Sequence, residues 1–330
     1  MTENHDATGI DVLIIGAGMA GLTAASALRE SGLRTVVLDK GRGVGGRIAS
    51  RRIGGATFDH GAQFITSHTA RFAAAIEEWS REGLTEEWCR GFEEAADGHL
   101  RWRGRPAMTA IPKHLARDLD IRLEQTVTAL RETRAGWEAE TATGEILTAR
   151  TALLTAPAPQ SVAMLDKGAV SIPLEARMRL EAISYERCLA VMAVLEGPSQ
   201  MPPPGGMQAP HRDIAWMADN QLKGISAEPA VTIHGTPDFS LTHWDADREE
   251  SGRALIAASA EWLGAGVKSF QVHGWRYSKP IHVERNPVLI VRESPLLMVA
   301  GDAFGGPRVE GAALSGWAAA EAIRGEVSAG

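Results

Sequence analysis

The N-terminal part of the chain carries a regular succession of apolar segments and breaks. Residues 12–15 are all apolar and predict a buried parallel strand. The sequence GAGMAG (16–21) follows, and apolar residues then recur at helical spacing until Gly32. A second apolar segment, residues 35–38, ends on Asp39. The pattern predicts a strand, a glycine turn, a helix and a second strand with an acid at its end.

The three glycines of this turn suit a phosphate group lying against the backbone. Gly16 permits a tight turn, Gly18 leaves room for a pyrophosphate, and Gly21 lets the helix pack closely on the strand. Asp39 is placed to accept hydrogen bonds from a ribose diol. A tight turn without a ligand is the alternative, but it does not explain why all five features occur in this order. The sequence therefore predicts a dinucleotide site.

Apolar patterns farther along the chain predict the remaining elements. They indicate a hairpin around Gly54 and Gly55, and another over 92–105 with its turn at Asp97 and Gly98. Helices are expected over 69–88, 108–119, 242–263 and 309–323, and strands over 121–127, 136–141, 145–154, 189–195, 214–217, 230–234 and 295–300.

Composition and charge narrow the class of protein. The chain has 330 residues and a formal net charge of -7, which argues against nucleic acid as a partner. No apolar run approaches the roughly 18 residues that a membrane span needs, so no membrane partner is expected. The only cysteines, Cys89 and Cys188, are far apart and lack the spacing of metal ligands. Two isolated thiols indicate a reducing compartment, and we expect a cytoplasmic protein without a metal site.

Four segments carry a family resemblance. They are DKGRGVGGR (39–47), FDHGAQFIT (58–66), GWRYS (274–278) and AGDAFGGPRVEGA (300–312). The first places four glycines and two arginines after the ribose-binding acid, a composition that suits a backbone and guanidinium groups lying against phosphate. Together the segments resemble the FAD-dependent flavin amine oxidase superfamily and, more narrowly, its renalase-like oxidoreductases.

The resemblance implies an α/β fold, a Rossmann-like FAD-binding domain (GR2 type) with an inserted mixed α+β substrate domain. The FAD-binding domain is expected to be discontinuous, over 1–70, 120–158 and 283–330. The substrate domain is expected over 71–119 and 159–282. Because no cysteine follows Cys188, FAD is expected to be bound noncovalently.

The resemblance and the glycine turn together predict the residues that contact FAD. The start of the last helix is expected near the flavin N1 and C2 carbonyl, where its partial positive charge stabilises negative charge on the ring. Asp302 is expected to contact FAD, and an Asx turn is the alternative interpretation of this residue. The predicted cofactor-binding residues are Gly16, Gly18, Met19, Ala20, Gly21, Asp39, Lys40, Arg42, Gly45, Gly46, Arg47, Gly61, Ala62, Gln63, Val127, Asp302, Val309, Glu310, Gly311 and Ala312.

For catalysis the resemblance implies Gln63, Asn220, His234, Trp275 and Tyr277. A histidine at a strand end is by itself more often structural than functional. Residues 275–277 fit either a stacking wall over a flat substrate or a half-buried strand with an exposed arginine. None of the six lysines lies in a segment that matches the lysine near the flavin in amine oxidases.

Three functions remain open at this point. The first is oxidation of the 2- or 6-dihydro isomers of NAD(P) to NAD(P)+, in which flavin N5 takes hydride and O2 takes the electrons, giving H2O2. This chemistry needs little acid–base help, since the donor is already a dihydropyridine, and the sequence offers no obvious general base. The second is oxidation of primary or secondary amines. The third is a flavin-binding redox sensor without turnover.

Overall fold

The computed structural model describes residues 9–92 and 97–329. The strands are β1 (Ile10–Ile15), β2 (Thr35–Leu38), β3 (Ser50–Ile53), β4 (Ala56–Asp59), β5 (Thr85–Cys89), β6 (Arg101–Gly104), β7 (Asp120–Arg122), β8 (Val127–Thr133), β9 (Gly136–Thr141), β10 (Ile146–Leu154), β11 (Tyr185–Leu195), β12 (Gly206–His211), β13 (Ile214–Asp219), β14 (Ala230–Gly235), β15 (Val267–Pro280), β16 (Val288–Arg292) and β17 (Leu297–Ala300). The α-helices are α1 (Met19–Glu30), α2 (Ala70–Arg81), α3 (Ala110–Leu115), α4 (Ala158–Lys167), α5 (Leu174–Glu181), α6 (Pro237–Thr242), α7 (Arg248–Ala258), α8 (Ala260–Leu263) and α9 (Arg308–Ala329).

The chain divides into two compact units, and the first consists of Met1–Gly46, Pro112–Ser184 and Pro280–Gly330. Its sheet has the order β16-β17-β10-β1-β2-β7, with β9 added to β10 and β8 to β9. β1 is parallel to both β2 and β10, and β17 is parallel to β10. The predicted strand–turn–helix–strand order and the Rossmann-like fold of this unit are confirmed.

Small residues let two helices of the first unit pack closely. A side chain at Gly316 of α9 would come within 2.2 Å of the Ala20 carbonyl and the Thr23 hydroxyl of α1. The Thr23 hydroxyl donates 3.3 Å to the Ala313 carbonyl across the same contact. Strand residues such as Val12 and Met298 lie fully buried in the core beneath. This packing holds the N-terminal ends of α1 and α9 in fixed positions.

The second unit comprises Arg47–Ile111 and Tyr185–Lys279. Its five-stranded sheet has the order β12-β13-β14-β11-β15, and the pairs β12–β13, β13–β14 and β11–β14 are antiparallel. One core contains Leu189, Val191 and Trp244, and another contains Phe58 and Met192. The expected mixed α+β architecture is present in this unit.

The boundaries of the two compact units along the sequence differ from the expected domain boundaries. The hairpin β3–β4 belongs to the second unit, because Ala56 and Phe58 are buried together with Met192 and Val194. Residues 159–184 belong to the first unit, where Gly168 lies directly against the Leu130 backbone. Residues 112–119 also fall there, since apolar side chains of this segment pack on the core of the first unit.

Two predicted helices are wrong in extent. The helix expected over 69–88 ends at Arg81, because Gly83 adopts a φ of +72° and residues 85–89 then pair with β6. The hairpin expected over 92–105 is therefore β5–β6, although residues 93–96 lie outside the described residues. The helix expected over 242–263 is two helices, α7 and α8, which follow the end of α6 at Thr242. Asp247 caps α7 by accepting from the Glu249 and Glu250 amides.

Other predicted boundaries shift by less. The helix expected over 108–119 is reduced to Ala110–Leu115, and the strand expected over 121–127 is divided between β7 and the start of β8. Over the described residues, no helix combines the length and the apolar character that crossing a membrane requires.

Candidate functional site

The glycine turn before α1 is built to receive a ligand. A side chain at Gly16 would lie 2.5 Å from Thr155 Oγ1, and one at Gly21 would lie 1.9 Å from the Gly16 carbonyl oxygen. By contrast, a side chain at Gly18 would meet no protein atom within 4 Å. Gly18 is also the N-cap of α1, and no side chain caps the helix there. Open space therefore lies over the amide groups at a helix N-terminus, an arrangement that suits a phosphate group.

The carboxylate of Asp39 fixes the loops on either side of this turn. Its Oδ2 accepts a hydrogen bond of 2.7 Å from the Ala17 amide, and its Oδ1 accepts one of 2.6 Å from the Gly41 amide. The Gly45 amide donates 2.8 Å to the Ala17 carbonyl. Each carboxylate oxygen has a further lone pair for a hydroxyl donor. The arrangement is compatible with the predicted ribose contact.

The segment after Asp39 follows the turn closely. Gly45 forms a bridge with Gly18, and a side chain at Gly46 would lie 3.8 Å from the Gly18 Cα. Lys40 and Arg42 are exposed, and the Lys40 ammonium lies 3.4 Å from Gln160 Oε1. Met19 and Ala20 are buried in the first turn of α1, and Val127 begins β8. These predicted cofactor residues all lie in the first unit.

The start of α9 forms a second glycine-rich helix entry in the first unit. A side chain at Gly311 would lie 1.8 Å from the Gly306 carbonyl oxygen, so the first turn of the helix lies against its own entry loop. The Ser315 hydroxyl accepts a hydrogen bond of 2.8 Å from the Gly301 amide and donates one of 2.5 Å to the Pro287 carbonyl. Asp302 and Glu310 are more than nine-tenths buried beside this entry. Val309 to Ala312 therefore occupy the helix start that the sequence predicts.

In the second unit, the segment 59–63 is held by a buried charge pair. Lys223 Nζ lies 2.6 Å from Asp59 Oδ2 and donates 2.5 Å to the Gln63 carbonyl. Asp59 Oδ1 accepts from the Ser50 hydroxyl at 2.5 Å and from the Met108 amide at 3.0 Å. Burial lowers the pKa of Lys223, and the Asp59 carboxylate opposes that shift. Lys223 thus ties together both ends of the segment.

Three of the predicted catalytic residues hold the backbone of the same segment. The Trp275 indole donates 2.9 Å to the His60 carbonyl, and His234 Nε2 lies 3.1 Å from the same oxygen. The Asn220 amide donates to the Ala230 carbonyl and to Thr232 Oγ1, while its oxygen lies 3.4 Å from the Asp59 amide nitrogen. Asn220 has no exposed surface. These contacts indicate that Asn220 positions the loop.

Gln63 presents one polar atom that the protein does not use. Its Nε2 donates 2.6 Å to the Asp59 carbonyl and 3.1 Å to the Gly61 carbonyl. Both partners are carbonyl oxygens, so the amide group has only one possible orientation. Its Oε1 is buried and has no hydrogen-bond partner. A buried unpaired acceptor is unusual, and it points to a ligand N–H or O–H as its partner.

The neighbouring residues Gly61 and Ala62 are fixed against Arg47. A side chain at Gly61 would lie 2.0 Å from the Arg47 carbonyl oxygen, and the Ala62 amide donates 2.8 Å to that oxygen. The Arg47 guanidinium donates 3.3 Å to the Ser278 carbonyl. The second unit therefore brings together Arg47, Gly61, Ala62 and Gln63 from the predicted cofactor residues.

The histidines around this segment are neutral at physiological pH. Burial, together with His273, Arg51 and His234, lowers the pKa of His60 to about 3. Burial and the Lys223 ammonium lower the pKa of His234 to about 4. Burial and the guanidinium groups of Arg51 and Arg248 lower the pKa of His273 to about 4. Burial is the largest cause of each shift, and the nearby cationic groups add to it.

The aromatic residues of β15 lie next to these histidines. The Trp275 ring stacks on His60 with centroids 5.2 Å apart. Tyr277 contacts Tyr185 edge to face at 5.4 Å. Trp275 and Tyr277 are half-buried, whereas Arg276 is exposed, a pattern that is compatible with both interpretations of residues 275–277.

Sequence reasoning did not find Lys223 or assign a role to Asp59. Both side chains are fully buried, and the two residues are 164 positions apart in sequence. No local sequence pattern therefore predicts that they pair. Cys188 is buried, and burial raises the pKa of its thiol to about 12. Over residues 9–92 and 97–329, no group of three or more potential ligands could hold a metal ion.

Comparison with known proteins adds an independent result. Residues 14–78 match the model of an NAD(P)-binding Rossmann-like domain, and residues 71–324 match that of flavin-containing amine oxidoreductases. The chain is 25% identical to renalase of Mus musculus over 317 residues, which cover 89% of this chain and 92% of renalase. It is 38% identical to putrescine oxidase of Kocuria rosea over 72 residues, covering 22% of this chain and 15% of that protein.

Solved structures share the fold at low sequence identity. Putrescine oxidase bound to putrescine superposes with a TM-score of 0.70 at 15% identity, covering 96% of this chain and 99% of that one. A fatty acid isomerase of P. acnes superposes with a TM-score of 0.69 at 12% identity, covering 94% and 98%. An oxidase and an isomerase share this architecture, so the fold alone does not identify a substrate. The matched family model covers most of the chain, and the chain therefore belongs to the flavin-containing amine oxidoreductases as a renalase-like, FAD-dependent oxidoreductase.

Proposed function

We propose that this enzyme oxidises the 2- and 6-dihydro isomers of NAD(P) to NAD(P)+ and uses O2 as the electron acceptor. One isomer molecule, O2 and a proton then give NAD(P)+ and H2O2. Similarity to renalase along most of both chains supports this class of substrate. The two arginines Arg51 and Arg248 beside the histidines of segment 59–63 are the observation that carries the choice between substrates.

Charge distinguishes a dinucleotide from an amine. Arg51 and Arg248 add to burial in lowering the pKa of histidines around the segment, whereas the charge of Lys223 is paired with Asp59. A dinucleotide carries phosphate groups and is attracted to such surroundings. A protonated amine is repelled by them, and it also has to lose a proton before it can be oxidised. Histidines whose pKa lies at 3–4 are weak bases for that step.

The residues present fit FAD in both units. Gly18 leaves open space over a helix N-terminus, and the glycine-rich start of α9 offers a second one. Residues 39–47 follow the turn, and Gln63 presents an unpaired buried acceptor. These residues would hold FAD, which would supply an acceptor for hydride at N5 and a route for the electrons to O2. The protein contributes binding, orientation and a fixed electrostatic environment.

We assign two kinds of role to the predicted catalytic residues. Gln63, Trp275 and Tyr277 present surface or an unpaired atom, so we infer that they contact the reacting groups. Asn220 and His234 hold the backbone of Asp59 and His60 and act as positioning residues. Hydride transfer from a dihydropyridine needs alignment more than proton transfer, and a rigidly held loop supplies that alignment.

Amine oxidation is the second candidate. The partly exposed aromatic residues Tyr185 and Tyr277 are the observation that favours it, because the face of an aromatic ring attracts a cation. The local similarity to putrescine oxidase is in line with this interpretation.

Anaerobic stopped-flow absorbance of the FAD-loaded enzyme tests the proposal. The enzyme is mixed separately with 6-dihydroNAD, 2-dihydroNAD, ordinary 4-dihydroNADH and a panel of amines that includes putrescine. We expect fast bleaching of the flavin band by the 2- or 6-dihydro isomers alone, with recovery of the band and formation of H2O2 when O2 is admitted. Bleaching by an amine and not by the isomers would establish the second candidate in its place.

A further inference from the structure

Three arginines surround a single tryptophan in the second unit. The guanidinium carbons of Arg248, Arg187 and Arg276 lie 4.8, 4.9 and 5.9 Å from the ring centroid of Trp244. The arginines come from α7, β11 and β15, so the fold, and not local sequence, collects them. In the part of the chain that the structure describes, none of the three forms an ion pair with a carboxylate.

Backbone geometry makes room for this group. Gly274 of β15 lies directly against it, since a side chain there would come within 3.1 Å of both Arg248 Nη2 and Trp244 Cη2. Trp244 is 7% exposed and belongs to the hydrophobic core of the unit. The three cations are therefore held around a buried ring on three different elements.

The arrangement is electrostatically incomplete. Like charges collected within a few ångströms of one ring repel each other, and the indole face offsets only a part of that repulsion. Arg248 Nη1 is in addition buried without a hydrogen-bond partner. A buried charged donor without a partner is costly, so this atom indicates an acceptor that comes from a ligand. The excess of positive charge is local, because the whole chain carries a net charge of -7.

The arginines adjoin the proposed substrate wall on both strands. Arg276 lies between Trp275 and Tyr277 on β15, and Arg187 lies two positions after Tyr185 on β11. Arg248 is also near enough to His273 to lower its pKa. Arg276 faces Trp244 on the side of β15 opposite Trp275 and Tyr277, because successive residues of a strand alternate sides. β15 is the edge strand of its sheet, so the arginines and the aromatic residues adjoin around that edge.

We propose that Arg187, Arg248 and Arg276 form a phosphate-binding site for the pyrophosphate of the dinucleotide substrate. The inference rests on the proposed function and assigns the part of the substrate that does not react. Guanidinium groups bind phosphate oxygens through paired, charge-assisted hydrogen bonds, and a diphosphate offers enough acceptors for several arginines. Binding of this remote group is equal in the ground state and the transition state, so it lowers KM and leaves kcat unchanged.

The test uses the FAD-loaded enzyme and three single variants, R187Q, R248Q and R276Q. Arg253→Gln is the matched control, because Arg253 also lies over an aromatic ring, Phe270 at 5.8 Å, but pairs with Glu249. Each protein is assayed with 6-dihydroNAD and with the corresponding dihydronicotinamide riboside, which has no phosphate. Isothermal titration with inorganic pyrophosphate measures binding of the anion without turnover. Thermal denaturation and the flavin spectrum check that each variant is folded and loaded.

We expect the three variants to raise KM for 6-dihydroNAD roughly tenfold or more, as loss of a charge-assisted hydrogen bond implies. KM for the riboside and kcat for both substrates stay within about twofold, and pyrophosphate binding weakens in parallel. The R253Q control changes none of these values. Equal changes for dinucleotide and riboside, or no change for either, would overturn the assignment.

Failure of the proposed function can be told apart from failure of this site. If no dihydronicotinamide compound reduces the flavin, the proposed function is wrong. The pyrophosphate titration then tests by itself whether the three arginines bind phosphate. Pyrophosphate binding that is lost in R248Q and kept in R253Q would show that the arginines form a phosphate site, and that this site serves another phosphorylated ligand. Absence of pyrophosphate binding to the unmodified enzyme would remove the site altogether.

Discussion

Lys223 Nζ lies 2.6 Å from Asp59 Oδ2, and neither side chain has exposed surface. Taking both charges out of water is costly, and their attraction repays that cost only when the remaining hydrogen-bonding groups are satisfied. Here the Gln63 carbonyl, the Ser50 hydroxyl and the Met108 amide complete the network. The pair therefore specifies the conformation of segment 59–63 more than it adds to overall stability.

Removal of one partner should expose the cost of the other. In Lys223→Met, the Asp59 carboxylate stays buried without its counter-ion, and the free energy of unfolding should fall by about 3–5 kcal/mol. Chemical denaturation of the FAD-loaded protein measures this loss. Lys279→Met is the control, because Lys279 is 61% exposed and lies 3.7 Å from Glu186. Its loss should stay below about 1 kcal/mol, and similar losses for the two variants would contradict the role given to Lys223.

Part of this architecture could be predicted from local patterns. β1, α1 and β2 follow from apolar periodicity and the three glycines, and the structure has them within two or three residues of the predicted ends. The periodicity of 69–88 was misleading, because apolar residues continue past Gly83 although the chain turns there and enters β5. Pairing with a distant strand, which the local pattern does not contain, decided the outcome.

The candidate site shows the same division. The cofactor residues of the first unit lie in motifs that are contiguous in sequence. The network around Asp59 depends instead on contacts between positions more than 150 residues apart, such as Thr232 Oγ1 with the Asp59 carbonyl at 3.1 Å. Lys223 lies in a polar turn after β13 and resembles any exposed lysine in sequence. Only the folded chain reveals that it is buried.

The orientation of the Gln63 amide should depend on its two donated hydrogen bonds. In Gln63→Glu, a carboxylate replaces the donor and faces the Asp59 and Gly61 carbonyl oxygens, so the side chain has to reorient. We expect the free energy of unfolding to fall by about 1–3 kcal/mol, together with a shifted flavin spectrum and a slower anaerobic reduction of the flavin. Gln221→Glu is the control, since Gln221 is half-buried and its side-chain amide donates one hydrogen bond, to the Ala227 carbonyl at the surface. An unchanged spectrum and stability in Gln63→Glu would contradict the proposal.

The depressed histidine pKa values predict a dependence of stability on pH. His60, His234 and His273 have pKa values of about 3–4 in the folded protein, against an ordinary histidine value of 6.5. Between these values the unfolded chain binds more protons, so the free energy of unfolding decreases as pH falls. The stabilisation is complete above about pH 6.5 and is lost progressively toward pH 4, on the order of 1 kcal/mol per pH unit for one fully buried histidine.

Denaturation of the enzyme at a series of pH values between 4 and 8 measures this slope. His60→Asn should flatten it, because asparagine does not titrate in this range and His60 is only 4% exposed. His68→Asn serves as the control, since the His68 side chain lies at 3.5 Å from Thr66 on the exposed surface. A slope that is the same in His60→Asn as in the parent protein would show that His60 is not held in its neutral form.

Replacement by alanine should weaken FAD binding at Gly18 and lower the stability of the apoprotein at Gly21. A methyl group at Gly18 meets no protein atom within 4 Å, so the apoprotein should keep its stability. That methyl group would occupy the space proposed for the pyrophosphate of FAD, and the Kd for FAD should rise roughly tenfold or more, as the loss of one charge-assisted phosphate contact implies. A methyl group at Gly21 would lie 1.9 Å from the Gly16 carbonyl oxygen and should destabilise the apoprotein itself.

Fluorescence titration of the apoprotein with FAD and thermal denaturation without FAD separate the two effects. Gly18→Ala should lose affinity at an unchanged melting temperature, and Gly21→Ala should lose melting temperature first. Gly43→Ala is the control in the same region, because a methyl group there also meets no protein atom, and Gly43 is not among the residues assigned to FAD. If Gly18→Ala binds FAD as tightly as Gly43→Ala, the open space over the start of α1 does not hold the cofactor phosphates.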